Sequence, residues 1–462
     1  MKKTKGTNAS IFELNGIPQL SKALPLALQH VVAMIVGCVT PAIIVAGVAE
    51  LEGTNRVMLI QSALVVSALS TFLQLFPIGS KKGFRLGAGL PVIMGTSFAY
   101  VASMQAIAAD VGIAAIFGAQ IIGGIIAMII GFFIDKIRKV FPPLVTGTVV
   151  FTIGLSLYPT AVNYMAGGAS SANYGHWTNW LVAIITLAIV TFLNHFTKGF
   201  VKLASILIGI ICGYIIAACF GMVDLTAVAQ ASVFQMPQIM HFGIQFDPSS
   251  CIAIGLLFAI NAIQAIGDFT ATTTGGMDRE PTDKELKGAI VGYGCTNIIG
   301  AFLGGLPTAS YSQNVGIVTT TKVINRSVLG MSAGILLIAG LVPKFSALLT
   351  TIPQCVLGGA TISVFASIAM TGIKLLVSEG MSTRNTTVAG LSIAIGMGVS
   401  LSNGCLNQMT STIYDGLGMT MGLENFQSII NNTFASSPVV LATIFAVILN
   451  LVLPKDLKPE AK

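Results

Sequence analysis

Charge is what this chain has least of. Only 9% of its 462 residues are Asp, Glu, Lys or Arg, against about 25% in soluble domains, while 54% are hydrophobic. That balance excludes a water-soluble globule and predicts an integral membrane protein. The 7 cysteines are scattered through apolar runs with no CxxC pair, so a disulfide framework is not expected and they read as small buried hydrophobes. There is no HExxH and no cluster of His and carboxylates to hold a metal, so we expect no cofactor. Gly330-Met331-Ser332-Ala333-Gly334 has GxSxG spacing, but it sits in an apolar helix with no positioned base; an enzyme is not expected. Met1-Lys2-Lys3 is followed by a mostly polar segment without a small-residue cleavage site, so no cleavable targeting segment is expected.

What is there is a series of apolar runs, from 24–48 to 436–453. At roughly 30 residues per spanning helix with its loop, the length accommodates about 14 spans. The net charge of +7 must then be read by position. With the first span starting inside, alternate loops place Arg56 and Lys344 on the outer face and all other Lys and Arg on the inner face. This asymmetry predicts an even span number with both termini cytoplasmic, and it makes the basic balance a topology signal rather than a nucleic-acid footprint. Two polar stretches on the outer face, 221–249 and 403–434, read as loops rather than domains.

Idle amides are not tolerated in hydrocarbon. Ser310-Tyr311-Ser312-Gln313-Asn314-Val315-Gly316 is therefore informative, because this polar run lies within the apolar run 307–321, just after Gly304-Gly305-Leu306-Pro307. Gln313 and Asn314 are the first candidates for a binding site. Gly89-Leu90-Pro91 opens a corresponding run that reaches Gly95-Thr96-Ser97-Phe98-Ala99-Tyr100. Pro142-Pro143-Leu144-Val145-Thr146-Gly147 likewise returns as Pro353-Gln354-Cys355-Val356-Leu357-Gly358. A shift of seven spans reverses orientation, so these matches predict an inverted repeat, an architecture that builds transporter sites from paired interrupted spans near the midplane. The Val, Ile, Thr and Ser beside Gly in both runs suit short extended segments buried against each other; two ordinary helices with small-residue packing faces are the alternative.

Among the acids, only Asp268 falls inside a span, and among the histidines only His30. An intramembrane carboxylate costs roughly 2.5 to 3.5 kcal/mol and marks function by default. Gln264 and Asp268 are spaced i and i+4 and share a helix face with Asn261. A structural hydrogen-bond network is the alternative for this stripe. His30 could carry a proton or hydrogen-bond between helices at neutral charge. A channel would show repeated rings or a symmetric filter, whereas here there is one asymmetric polar site.

Ser312-Gln313-Asn314-Val315-Gly316-Ile317-Val318-Thr319-Thr320-Thr321-Lys322 resembles the signature of the nucleobase-ascorbate transporter family, which runs Gln/Glu-Asn-x-Gly, four residues, Thr, then Arg, Lys or Gly. Gln29-His30, Gly267-Asp268 and the two Gly-Leu-Pro elements extend the resemblance over nearly the whole chain. It implies an all-α integral membrane fold of 14 spans in a seven-plus-seven inverted repeat, and a homodimer. Within it, a cytoplasmic segment 1–23 precedes core halves 24–135 and 250–350 (spans 1–4 and 8–11). Gate halves are 136–249 and 351–453 (spans 5–7 and 12–14), with a tail at 454–462. The implied function is secondary transport of xanthine or uric acid across the plasma membrane by proton symport, with sodium as another driving ion. A uracil carrier of the same family, or a small-anion channel, is the competing reading.

Carried over by position, Gln313 binds the base through its amide. Ser312 and Phe98 offer backbone groups, Phe98 adds its ring, and Ser97 stands beside it. Asn314 is implied to hold the backbone of span 10. An amide suits a planar base because it presents a donor and an acceptor together. Two positions depart from the pattern. Gln264 stands where the family usually has a proton-coupling Glu, and Gly292-Tyr293 occupies the region of a second acid. Gln264 can bind a base edge but cannot titrate, so coupling falls to Asp268 and His30.

Overall fold

The computed structural model describes residues 10–79, 85–134, 142–169, 171–402, 404–417 and 422–454. Residues 1–9 and 455–462 of the expected cytoplasmic termini, and Lys81, Lys82, Lys136, Arg138 and Lys139 of the inner loops, lie outside them.

The first half comprises α1 (Leu20–Val48), α2 (Gly53–Leu75), the hairpin strands β1 (Ile78–Gly79) and β2 (Arg85–Leu86), and β3 (Met94–Thr96). A 3-10 turn, Phe98–Tyr100, leads from β3 into α3 (Val101–Asp110), followed by α4 (Ile113–Phe132), α5 (Pro143–Ser156), α6 (Tyr158–Met165), α7 (Trp177–Phe196) and α8 (Ser205–Cys219). The second half comprises α9 (Pro248–Met277), α10 (Asp283–Phe302), β4 (Thr308–Ser310), α11 (Ser312–Thr321), α12 (Arg326–Leu341), α13 (Pro343–Thr350), α14 (Gln354–Ser378) and α15 (Thr383–Leu401). It closes with α16 (Asn407–Leu417), α17 (Leu423–Ile430) and α18 (Pro438–Val452). The outer stretch read as a loop at 403–434 thus carries two short helices.

Seven helices among the described residues are long and apolar enough to cross a bilayer, and two bent helix pairs raise the number to 9. The chain is a multi-pass helical membrane protein. Its helix starts are written locally. Asp247 caps α9, its Oδ2 accepting from Ser250 N at 2.8 Å, with Pro248 in the first turn, where no backbone donor is needed. Thr282 and Glu285 form a reciprocal capping box on α10.

The two interrupted runs meet at the centre. β3 and β4 pair antiparallel in the register Met94↔Ser310, Gly95↔Ala309 and Thr96↔Thr308, and Ser97 N and Tyr311 N extend the ladder to Pro307 O and Ile93 O. A two-stranded ribbon inside a membrane protein leaves two edges whose backbone groups need partners. Side chains from α2 and α10 supply them. Thr71 Oγ1 donates to Met94 O at 3.0 Å and accepts from Met94 N at 2.9 Å. Asn297 Oδ1 accepts from Thr308 N at 2.8 Å, while its Nδ2 donates to Thr308 O at 3.3 Å. Close approach at this crossing requires Gly95, where a Cβ would lie 2.6 Å from the Tyr311 ring and 2.7 Å from Cys38 Sγ. Each strand then opens a short helix, so Ser97 and Ser312 stand at helix N-termini that face each other across the ribbon.

Candidate binding site

A cavity of about 260 Å³ lies at these two N-termini. Gln313, Ser312, Gln264, Ser97 and Phe98 line it on one side. Val150 and Ile153 of α5, Ile206 of α8, and Thr361, Val364 and Ser367 of α14 line it on the other. A second cavity of about 680 Å³ adjoins it, bordered by Asp268, Gly316, Thr319, Thr274 and Pro142. The two share Val150, Gln264, Ser312 and Thr371. A polar centre with apolar walls is the usual make-up of a small-molecule site.

Each polar group has a different status. Gln313 is exposed to the cavity, and none of its side-chain atoms has a hydrogen bond to the described residues. Gln264 Oε1 is buried with no partner among them. A buried orphan acceptor costs about 1 to 3 kcal/mol, a cost relieved when a ligand N–H is supplied. Ser97 faces the cavity but also caps the 3-10 turn, its Oγ accepting from Ala99 N at 3.2 Å. Phe98 makes an edge-to-face contact with Phe365 of α14, ring centroids 5.2 Å apart.

Asp268 sits one turn beyond Gln264. Its Oδ2 accepts from Ser310 Oγ at 2.5 Å and its Oδ1 from Ser312 Oγ at 2.9 Å. It borders the larger cavity and not the smaller one. No metal-holding group of His, Cys, Asp and Glu exists among the described residues.

Asn314 and His30 are turned away from both cavities. Asn314 Nδ2 donates to His30 Nδ1 at 3.0 Å and to His30 O at 3.2 Å, and both side chains are buried. Asn314 therefore ties α11 to α1, rather than holding the backbone of its own span. With Nδ1 accepting, the proton of a neutral His30 ring lies on Nε2.

The structure gives roles to residues that the sequence offered only as part of a run, or not at all. Ser310 holds Asp268, and its place in the polar run was the available signal. Tyr311 wedges beneath Gly95, its hydroxyl donating to Thr96 O at 2.8 Å. Phe365 had no local signal, being one apolar residue in a largely apolar helix. Tyr293, in the region of the absent second acid, is fully buried and hydrogen-bonded to the Tyr100 hydroxyl.

A Permease family model matches residues 21–404. The xanthine permease of Bacillus subtilis is 34% identical over 400 residues, covering 85% of this chain and 89% of that protein. The uric acid permease PucJ of the same organism is 34% identical over 400 residues, covering 85% and 88%. Among solved structures, the transmembrane domain of a cyanobacterial bicarbonate transporter, BicA, superposes with a TM-score of 0.57 at 19% identity, covering 80% of this chain and 94% of that one. That likeness is one of fold.

Proposed function

Since the chain belongs to the nucleobase-ascorbate transporter family, the permeases whose model spans residues 21–404, we propose that it imports a purine base, xanthine or uric acid, across the plasma membrane. Permeases move their substrate unchanged, so the site residues bind and couple rather than catalyse. The observation that carries this reading is the convergence of two amides, Gln313 and Gln264, with the Phe98 ring on one cavity at the crossing of β3 and β4. The Gln313 amide offers a donor and an acceptor to a base edge, and the orphan Gln264 Oε1 accepts a ring N–H. Phe98 gives the ring an aromatic wall, backed by the buried Phe365 that packs edge-to-face against it.

The same reading extends to architecture. We read the chain as 14 spans in two inverted sets of seven, of which seven to nine are, among the described residues, long and apolar enough to cross a bilayer. A core (24–135 and 250–350) carries the ribbon and Asp268, and a gate (136–249 and 351–453) brings α5, α8 and α14 against it. The larger cavity opens beside Thr319 and Thr274, on the side of Lys322 and Arg279, which the distribution of basic residues makes cytoplasmic. That supports both termini inside and an inward-facing state. A homodimer is the expected assembly.

Proton symport is the coupling we assign, through Asp268. As a carboxylate it accepts from both Ser310 and Ser312. Once protonated it carries a donor of its own, and one of the two serine hydroxyls must turn or let go. That places a charge change at the junction of β4 and α11, next to Gln313. Sodium is the alternative driving ion.

Uptake of labelled xanthine, uric acid and uracil into cells lacking their own carriers, at two pH values and with a protonophore, tests this. Accumulation of a purine that collapses with the protonophore is expected. No accumulation of any base would end the nucleobase reading, and indifference to pH and protonophore would end the proton reading.

A further inference from the structure

A separate polar cavity of about 210 Å³ lies away from both chambers of that site. Its wall includes Gln105 of α3, Thr160, Asn163 and Tyr164 of α6, and Gln354 at the start of α14, with Glu50 beside them.

Its position is not arbitrary, because the elements that line the central cavity also line this one. α1 gives Gly37 to the central cavity and Gly47 to this one, and the turn and helix after β3 give Phe98 and then Gln105. The α5–α6 segment gives Ile153 and then Thr160, while α14 gives Thr361 to the centre and Gln354 here. At 1.5 Å per residue, Gly37 and Gly47 are about 15 Å apart along α1, so the two cavities stand in series on one set of walls. Tight packing separates them: a Cβ on Gly358 of α14 would lie 2.3 Å from Met165 N and 2.8 Å from Ala161 O of α6.

Its chemistry repeats that of the centre. Gln105 Oε1 accepts from Thr160 Oγ1 at 3.3 Å and Asn163 Oδ1 from the Tyr174 hydroxyl at 2.7 Å, which fixes both amides with their carbonyls engaged. Their NH₂ groups, and the whole Gln354 amide, have no hydrogen bond to the described residues. Three amides therefore present spare donors, and one a spare acceptor, to a small cavity. Spare amide donors suit a planar ring edged with carbonyl oxygens.

We propose that this cavity is an outer docking subsite, which takes the same oxygen-edged base before the core and gate rearrange to pass it to Gln313. The proposal rests on the purine reading above. Equilibrium binding of labelled xanthine and labelled urate to the purified full chain, with uptake measured in parallel, tests it. Wild type should bind two equivalents, one tight and one weak. Gln313→Ala should lose the tight class and keep the weak one. Gln105→Leu with Gln354→Leu should lose the weak class, raise the KM for uptake about tenfold and leave the tight Kd unchanged, which a general packing defect would not. If the leucine pair does not elute as a single species, Gln354→Asn keeps the amide one methylene shorter and should weaken the weak class alone. One equivalent in wild type with none left in Gln313→Ala overturns the subsite and leaves the central reading intact. No binding of either base to wild type overturns the purine reading, and the subsite falls with it.

Discussion

Asp268 and Ser310 are joined by a 2.5 Å hydrogen bond, which ties the one acid within the apolar runs to the strand that crosses Gly95. Ser312 grips the other carboxylate oxygen, so the last serine of β4 and the first of α11 both answer to Asp268. In Asp268→Asn the amide oxygen still accepts from one serine, and its NH₂ can donate to the other. Geometry should survive while titration is lost. Concentrative uptake should disappear while exchange of internal for external base persists. Unimpaired accumulation would make Asp268 a structural cap.

At the ribbon crossing, Gly95→Ala would drive a methyl to 2.6 Å from the Tyr311 ring. Overpacking of this kind costs about 1 to 3 kcal/mol. A clear fall in thermal stability in detergent, with reduced uptake at matched protein level, is the expected outcome. An unchanged melting temperature would show that the ribbon tolerates separation.

His30→Leu removes the side-chain acceptor for buried Asn314. Leaving that donor short of a partner should cost about 1 to 3 kcal/mol, read as a lower melting temperature. Because His30 borders neither cavity, the pH dependence of uptake should keep its shape. Loss of that dependence would make His30 a proton relay.

Phe365→Ala removes the buried ring that packs edge-to-face against Phe98, a wall of the central cavity. Edge-to-face aromatic pairs contribute about 0.5 to 1.5 kcal/mol beyond their area, so loosening Phe98 should lower base affinity by about two- to tenfold with folding retained. Unaltered affinity would show that Phe98 meets the base without support from Phe365, or does not meet it at all.

How much of this was legible depends on where each signal sits. The interrupted runs could be read because Gly, Pro and clustered hydroxyls stand out against an apolar background, and β3 and β4 lie within them. Gln264 and Asp268 share a face because i and i+4 spacing fixes it. Partners across the fold left no such trace. Asn314 meets His30 across 284 residues, and no local pattern separates reaching another helix from holding its own. Phe365 was silent for a related reason: in a bilayer an outward-facing helix side is as apolar as an inward one. Periodicity therefore loses the contrast that marks a core face in water. The helices at 407–417 and 423–430 were hidden by polar composition, which reads as loop.

The central claim is that Gln313 recognises the base, and equilibrium binding of labelled xanthine and urate to purified wild type and Gln313→Ala tests it most directly. The account predicts that the tight class of binding is lost in Gln313→Ala, while the variant elutes and melts as wild type does. Tight binding retained by Gln313→Ala would contradict it and place recognition elsewhere in the chain.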